Sequence, residues 1–268
     1  MPDDKNKQKI SLLDHLNRHR NWVLILSLLL LIILWMTLVI ILDLPEFILP
    51  GPALVVQRGW EAIRDGTLIF HTAVTFEEVL LGLFAGTLLA VLLGYQLSRS
   101  HLLERLVSPF LVASQAIPIV AIAPLLVIWF GPGMFSKVLI CALIVFFPVL
   151  VNTVVGLRAV PEHLRDLMRS LHANRQQTLR FLEIPSSLPV FLGGLRIGAT
   201  LSVIGAVVGE FVGADQGLGF LINVARGQYD TALVFAAVFT LIAMALILYG
   251  LVLMLEKRFL KWAQRSTN

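Results

Sequence analysis

The chain has 268 residues, of which 57% are hydrophobic and 14% are charged, and its formal net charge is +4. A soluble domain has charged residues at about a quarter of its positions, so the mean hydropathy of +0.86 indicates a chain built for a lipid bilayer. The one cysteine, Cys141, lies in an apolar run, which excludes a disulfide framework and a thiol-rich metal site. We expect a buried, inert thiol there.

The first apolar segment follows a basic stretch, residues 1–21, that is expected to form a cytoplasmic tail. The apolar core within 22–43 is about twenty residues long, against roughly 7–15 for a secretory signal sequence, and no small-residue cleavage site follows. We therefore predict a retained transmembrane anchor at 22–43.

The remaining apolar segments are also long enough to cross a bilayer, whose hydrocarbon core takes about 20 residues. Together with the anchor they predict an all-α polytopic membrane protein with six transmembrane helices. Their expected positions are 22–43, 73–97, 109–130, 136–157, 189–212 and 232–255. The more polar stretch "DLPEFILPGPALVVQRGWEAIRDG" separates the first two spans, and we expect it to lie outside the bilayer and to be partly helical after Pro52.

Basic residues are distributed unequally between the two sides of the predicted membrane. Sixteen of the 21 Lys and Arg residues fall in the two termini, the 98–108 loop and the 158–188 segment. The opposite loops contain only Arg58, Arg64, Lys137 and Arg226. Because Lys and Arg concentrate in cytoplasmic loops, we expect both termini and 158–188 to be cytoplasmic. The pI near 9.5 follows from this bias, and no basic-aromatic surface suited to nucleic acid accompanies it.

Residues 160–185, called the elbow below, have the pattern of two short helices joined at a corner. Pro161 suits the first helical position, and the apolar residues that follow recur at helical spacing. This stripe consists of Leu164, Leu167, Met168 and Leu171. Asn174 and Gln177 form a capping-box pair that opens a second helix, which is expected to end at Pro185. The pattern fits an amphipathic hairpin on the membrane surface or a knob that docks into a partner protein.

The elbow resembles the cytoplasmic signature of binding-protein-dependent ABC importer permeases. That signature has an acidic residue, two small residues, a glycine after three more positions, and a branched residue with a proline about a dozen positions later. Asp166 matches the acidic position, and Ile184–Pro185 match the end at the right spacing. Leu167 and Met168 stand where the family has small residues. His172 replaces the glycine that takes a left-handed conformation, and histidine tolerates positive φ better than most residues.

Longer stretches carry the same resemblance over roughly residues 70–260. They include "SQAIPIVAIAPLLVIWFGPGMFSKVLI", "FFPVLVNTVVGLRAVP" and "LPVFLGGLRIGATLSVIGAVVGEFVGADQGLGFLI", and they are similar to permeases of nitrate/sulfonate/taurine-type importers. Within that group, "TFEEVLLG", "SQAIP" and "GAVVGEFVGADQGLG" look closest to members linked to vitamins and their precursors, such as riboflavin or thiamine pyrimidines.

The resemblance implies a type I ABC importer permease fold over 70–257, with the elbow as its coupling element. It implies a homodimer in membrane lipid that binds two cytoplasmic ABC ATPase subunits and an extracytoplasmic solute-binding protein. The residues it assigns to the ATPase contact are Leu164, Asp166, Leu167, Met168, Leu171, His172, Ala173, Ile184 and Pro185. The chain has no GxxxxGK[ST] phosphate loop, so the ATP site is expected in a partner. No cofactor, catalytic residue or metal site is expected.

Polar residues within the spans are candidates for the translocation path, since charged groups in a bilayer are costly unless paired or functional. The candidates are Glu78, Ser114, Gln115, Asn152 and Glu210. Glu210 fits three roles: a carboxylate that reaches the interface, a path or gate residue, or an intersubunit pair. Glu78, beside Glu77, can instead extend to the interface, and the uncharged candidates line a polar route or tie helices together. Residues 213–219, "GADQGLG", are expected to form a flexible loop.

Two other classes of function fit the sequence less well. A membrane-embedded enzyme needs a nucleophile with a base, or paired carboxylates, at one depth, and no histidine lies within the predicted spans. A secondary transporter often shows inverted repeats with broken helices, and no convincing repeat occurs. For an importer, the solute is open between heterocyclic vitamin precursors, which the closest resemblance favours, and nitrate, taurine or aliphatic sulfonates.

Overall fold

The computed structural model describes every residue except 1–2, 101, 104, 108, 110–112, 114–117 and 261–268, and for residues 3–21 and 24 it describes the backbone alone. The described residues lie in helices, turns and loops, with no strand among them. The helices with described bounds are α1 (Asp3–Leu42), α2 (Pro52–Arg64), α3 (Thr67–Arg99), α4 (Ile119–Phe130), α5 (Met134–Arg158), α6 (Glu162–Ser170), α7 (Arg175–Thr178), α8 (Ile184–Gly213), α9 (Leu218–Gly227) and α10 (Thr231–Phe259).

Five helical stretches in the described part of the chain are long and apolar enough to cross a membrane. They are α1, α3, α5, the continuous stretch of α7 and α8, and α10. The predicted all-α polytopic fold is therefore confirmed. Helix α4 has 12 residues, or about 18 Å of helix. It is the second half of the predicted span at 109–130, whose first half falls largely outside the described residues.

Helix α5 packs between α3 and α8 at crossings where glycine replaces a side chain. A Cβ on Gly82 of α3 would lie 2.1 Å from the Cβ of Cys141, and one on Gly205 of α8 would lie 2.8 Å from its Cα. Cys141 is fully buried between them, as the sequence predicted. Helices in lipid associate through close contact of small residues, so these glycines set the spacing of the three-helix core.

Helix α1 lies at the edge of the bundle. The ring of Trp35 stacks 5.5 Å from that of Phe235 and lies 6.1 Å from that of Phe239, both on α10. Most described side chains between residues 22 and 42 are apolar and exposed. This helix therefore presents most of its surface outward, as a lipid-facing span does.

Helix α2 begins at Pro52, where the sequence predicted a helix outside the bilayer. It is attached to the start of α10 through Arg58, whose Nε lies 2.7 Å from Oδ2 of Asp230. The other carboxylate oxygen of Asp230 accepts a hydrogen bond from the N–H of Leu233 at 3.0 Å and so caps α10. Asp230 therefore caps the N-terminus of α10 and also binds α2 through Arg58.

Candidate functional site

The elbow lies at the end of the bundle where α5 ends and α8 begins. Its first helix, α6, contains no buried residue. On its predicted apolar stripe, Leu167 is 54% exposed and Leu171 is 67% exposed, while Leu164 and Met168 are partly buried. An amphipathic helix that leaves part of its apolar stripe uncovered in its own chain is a candidate surface for another protein.

The corner after α6 has the geometry of a Schellman motif. His172 takes the left-handed conformation with φ of 54°, as its place in the signature implied. The N–H of Ala173 donates to the carbonyl of Met168 at 3.0 Å, and that of His172 donates to the carbonyl of Arg169 at 2.9 Å. These two bonds satisfy carbonyls that a helix end otherwise leaves free, so the direction in which the chain leaves α6 is fixed.

The second helix of the elbow begins as predicted. The N–H of Gln177 donates to Oδ1 of Asn174 at 2.8 Å, and the N–H of Asn174 donates to Oε1 of Gln177 at 2.8 Å. This is a complete capping box. The two helices are therefore joined at a corner in which both ends are capped by local hydrogen bonds.

The predicted end of this helix at Pro185 is wrong. From α7 the chain continues through a π-helical turn, Leu179–Glu183, directly into α8, and Ile184 keeps helical angles of φ −62° and ψ −52°. The N–H of Ile184 reaches back five residues to the carbonyl of Leu179. This wider turn accommodates the ring of Pro185, which lacks an N–H and would clash with the preceding turn of a regular helix.

Two arginines join the elbow to the bundle. Nη2 of Arg165, on α6, donates to the carbonyl of Leu157 at the end of α5, at 2.8 Å. Nη2 of Arg99, the last residue of α3, lies 2.7 Å from Oε2 of Glu183 in the π-helical turn. Polar contacts thus attach the elbow to two different helices of the core.

At the opposite end of the bundle, polar side chains from three helices meet in a buried polar cluster: Thr75, Glu78, Lys137 and Glu210. Oε1 of Glu78 lies 2.9 Å from Nζ of Lys137, and both side chains are at most 5% exposed. Oγ1 of Thr75 lies 2.6 Å from Oε1 of Glu210. Since a buried charge without a partner is strongly destabilising, the cluster holds α3, α5 and α8 together.

Two expectations about these residues need correction. The charge pattern predicts Lys137 in a loop, but this residue lies in the first turns of α5 and is buried. The sequence allows Glu78 and Glu210 to extend to the membrane interface, but their side chains are 0% and 1% exposed inside the subunit. The reason is pairing: each carboxyl finds partners on neighbouring helices, so neither has to reach water.

The cluster also caps α9, a helix that the sequence reading missed. The N-cap residue of α9 is Gly217, which has no side chain to accept hydrogen bonds from the first N–H groups of the helix. Side chains of other helices accept them instead. The N–H of Gly217 donates to Nδ1 of His71 at 3.0 Å, that of Leu218 to Oγ1 of Thr75 at 2.8 Å, and that of Gly219 to Oε2 of Glu210. Thr75 in turn donates to Oε1 of Glu210 at 2.6 Å.

The sequence predicted a flexible loop at 213–219, and the structure shows that side chains from distant parts of the chain hold the backbone at the end of this loop. The glycines are needed for this contact. A Cβ on Gly217 would lie 2.0 Å from Oε1 of Glu210, and one on Gly219 would lie 2.8 Å from Oε2.

A cavity of about 470 Å³ lies beside the cluster. Its charged and polar lining residues are Glu77, Glu78, Lys137, Asp215 and Gln216. Three carboxyl groups and one ammonium group make this lining acidic in balance when all are ionised.

Of the remaining path candidates, Asn152 lies in the described part of the chain. Nδ2 of Asn152 donates to the carbonyl of Pro148 on its own helix at 2.8 Å, and its side chain occupies the space that Gly194 of α8 leaves open. Ser114 and Gln115 lie outside the described residues. In the described part of the chain, no group of three or more His, Cys, Asp and Glu side chains is arranged to hold a metal ion.

One further charged pair was missed by the sequence reading. Nη2 of Arg196 on α8 lies 3.3 Å from Oε2 of Glu256 on α10, and its guanidinium stacks over the ring of Tyr249 at 5.6 Å. A lone basic residue in an apolar run, such as "GGLRIGAT" or "MFSKVLI", is the available signal for such pairs.

A bundle of long apolar helices with a buried ion pair at one end, and an amphipathic elbow with exposed apolar side chains at the other, defines a polytopic membrane protein. Residues 79–261 match the family described as the binding-protein-dependent transport system inner membrane component. The match covers more than half of the chain, and the chain belongs to this family.

Individual relatives carry names of several transport systems. A riboflavin transport system permease protein of Chloroflexus aurantiacus is 47% identical over 88% of each chain. A formylaminopyrimidine transport permease protein of Halalkalibacterium halodurans is 36% identical over 82% of this chain and 88% of its own. A taurine transport system permease protein of Escherichia coli is 30% identical over 87% of this chain and 86% of its own.

A solved structure has the same fold. The inward-facing MetNI methionine ABC transporter matches with a TM-score of 0.63 at 17% identity, over 70% of this chain and 94% of its own. The fold is therefore that of a type I ABC importer permease. Family membership makes this chain an inner-membrane ABC importer permease subunit, which works with an ATPase and a solute-binding protein.

Proposed function

We propose that the elbow is the part of this permease subunit that seats in a cytoplasmic ABC ATPase and passes its ATP-driven movement to the membrane helices. The chain itself hydrolyses nothing in this account. Its contact residues are those of the signature: Leu164, Asp166, Leu167, Met168, Leu171, His172, Ala173, Ile184 and Pro185. Two copies of the chain form the path, with both termini and the elbow in the cytoplasm.

The observation that carries this proposal is the exposure of apolar side chains along α6. The helix has no buried residue, and Leu167 and the C-cap residue Leu171 are more than half exposed. The Schellman corner and the capping box hold it rigidly, as a helix that transmits force must be held. A hairpin that only rests on lipid would need no such fixed corner, which favours docking into a protein groove.

The test is assembly with the ABC ATPase of the same transport system. We expect the double substitution Leu167→Asp plus Met168→Asp to abolish co-purification, because two charges would enter an apolar interface. The control is Val56→Asp plus Trp60→Asp on α2, which places two charges on exposed apolar positions at the opposite end. Full assembly and ATPase coupling in the elbow variant would overturn the proposal.

For the solute path we retain the five polar candidates as a proposal. Ser114, Gln115 and Asn152 supply uncharged hydrogen-bonding groups for a polar route, while Glu78 and Glu210 act at the end where the binding protein delivers solute. The burial of Glu78 and Glu210 within one subunit favours a gating role for these two residues over direct contact with the solute.

We further propose that the solute is a heterocyclic vitamin or vitamin precursor, such as riboflavin or a thiamine pyrimidine. Two observations favour this over nitrate, taurine or aliphatic sulfonates. The riboflavin relative is considerably more similar than the taurine relative, at 47% against 30% identity. The cavity beside the buried polar cluster has an acidic lining, which repels anions more than neutral solutes.

Isothermal titration calorimetry of the solute-binding protein of the same transport system tests this choice. We expect binding of riboflavin or of an aminopyrimidine, with no heat from nitrate, taurine or an alkyl sulfonate. Tight binding of one of these anionic or zwitterionic solutes without binding of a heterocycle would overturn the choice of solute and leave the permease function intact.

A further inference from the structure

The ion pair between Arg99 and Glu183 joins the elbow to α3 at the base of the bundle. Oε2 of Glu183 lies 2.7 Å from Nη2 of Arg99, and the Glu183 side chain is 5% exposed. Nη2 of Arg99 also donates to the hydroxyl of Tyr95 at 3.0 Å, and its guanidinium stacks over the Tyr95 ring at 5.0 Å. The guanidinium of Arg99 is thus held by Tyr95 of its own helix and also pairs with Glu183 of the elbow.

Glu183 occupies the point where elbow and membrane span become one helix. The chain runs without a break from α7 through the π-helical turn into α8, a continuous stretch of 39 residues. Single π-helical turns inside longer helices are often found at functional positions. Because no flexible loop intervenes between Arg175 and Glu183, a displacement of α7 moves the Glu183 carboxylate with it.

The space next to this pair is poorly filled. An apolar cavity of about 350 Å³ lies between α3, α5 and α8, and Tyr95, Leu179 and Ile184 are among its lining residues. Side chains across a cavity lose the contacts through which packed helices push one another. The salt bridge therefore connects the π-helical turn to α3 beside a space where side-chain packing is weak.

We propose that the Arg99–Glu183 pair is a positioning pair that makes α3 follow the elbow, and so sets how much solute moves for each ATP hydrolysed. The inference rests on the proposed docking of the elbow in an ATPase. Arg99 and Glu183 touch neither ATP nor solute in this account. They act by keeping α3 and the continuous helix of α7 and α8 in fixed relation while the elbow moves.

The first experiment compares transport with hydrolysis in proteoliposomes that contain the permease, its ATPase and its binding protein, with radiolabelled riboflavin as the probe. Glu183→Gln is expected to leave assembly and ATP hydrolysis in place, but to lower riboflavin uptake per ATP at least about fivefold, the lower end of ordinary coupling between sites. Arg99→Glu is expected to lower the ratio similarly, and Arg99→Glu plus Glu183→Arg to recover part of it.

The matched control is Asp230→Asn. It removes the charge from another interhelical ion pair of the same length, 2.7 Å to Arg58, at the opposite end of the bundle, while asparagine can still cap α10. A general loss of rigidity would lower uptake per ATP in both variants. The proposal requires the loss in Glu183→Gln alone.

The second experiment needs no solute. Nitroxide labels on Leu92 of α3 and Gln176 of α7, both exposed, report the distance between α3 and the elbow in a Cys141→Ala background. In the otherwise unchanged complex, this distance is expected to stay the same between the nucleotide-free and vanadate-trapped states. With Glu183→Gln it is expected to change on trapping, since α3 no longer follows.

These measurements separate the two levels of the account. Failure of the wild-type permease to assemble with its ATPase would overturn the proposed function itself. An assembled Glu183→Gln complex with an unchanged uptake-to-ATP ratio and a label distance that stays constant on trapping would overturn the positioning role alone. If Glu183→Gln does not fold, Tyr95→Phe and Arg99→Lys weaken the same contact more gently, and an unchanged label distance in both would count as refutation.

Discussion

His172 occupies the corner position at which the family signature has glycine, and its φ of 54° lies in the left-handed region. The left-handed conformation costs a residue with a Cβ about 1–2 kcal/mol of conformational free energy, and it costs histidine less than bulkier or β-branched residues. The sequence alone therefore shows that this corner is formed by a histidine in place of the glycine of the family signature.

Substitution at this position gives a graded prediction. His172→Gly is expected to keep or slightly raise the melting temperature of the detergent-purified permease, whereas His172→Val is expected to lower stability by about 1–2 kcal/mol. Both are measured by thermal unfolding and by ATPase co-purification. Equal melting temperatures for the two variants would show that the left-handed corner is not maintained in solution.

Gly219 gives a second prediction at the scale of single residues. A Cβ there would lie 2.8 Å from Oε2 of Glu210 and 3.1 Å from the carbonyl of Val207. Gly219→Ala is therefore expected to destabilise the protein by about 1–3 kcal/mol, the usual cost of overpacking.

The control for Gly219→Ala is Gly250→Ala, since a Cβ on Gly250 meets nothing within 4 Å. Thermal unfolding in one detergent compares the two variants. A loss of stability in Gly250→Ala as large as that in Gly219→Ala would mean that the contact with Glu210 is not its cause.

At the scale of elements, the buried polar cluster holds three spans and the cap of α9 in one network. Lys137→Met is expected to cost about 3–5 kcal/mol, because it leaves the Glu78 carboxylate buried without its cation. Glu78→Gln plus Lys137→Met removes both charges and is expected to recover most of that loss. Thermal unfolding of the two single variants and the double variant measures the coupling, and strictly additive losses would contradict the pairing.

The elements that the sequence predicted well are those whose signals are local. The capping box of Asn174 and Gln177, the amphipathic pattern of α6 and the long apolar spans all depend on residues a few positions apart. The elements it missed depend on distant partners. Helix α9 is capped by His71, Thr75 and Glu210 from other helices, so "GADQGLG" alone reads as a loop.

The site follows the same division. The elbow residues were identified from a motif, whereas the pairing of Glu78 with Lys137 brings together residues 59 positions apart. Either residue alone reads as lying at an interface or in a loop. The end of the second elbow helix was misplaced because the rule that proline ends a helix ignores the wider π-helical turn that accommodates Pro185.

At the scale of the whole molecule, the proposed orientation puts α2 outside the cell membrane and the elbow in the cytoplasm. In a Cys141→Ala background, Gln57→Cys on α2 is expected to react with a membrane-impermeant thiol reagent in intact cells. Gln176→Cys in the elbow is expected to react only after the membrane is opened. Labelling of Gln176→Cys in intact cells would show that the elbow faces the outside of the cell, where it could not contact a cytoplasmic ATPase.

The central claim is that the elbow contacts a nucleotide-hydrolysing partner during transport. Its most direct measurement is photo-cross-linking in living cells, with a photoreactive amino acid at Leu167 and, as the control, at Val56 on α2. The account predicts an adduct with the ABC ATPase from position 167 and none from position 56. Continued solute uptake with no adduct between position 167 and any ATP-hydrolysing protein would contradict it.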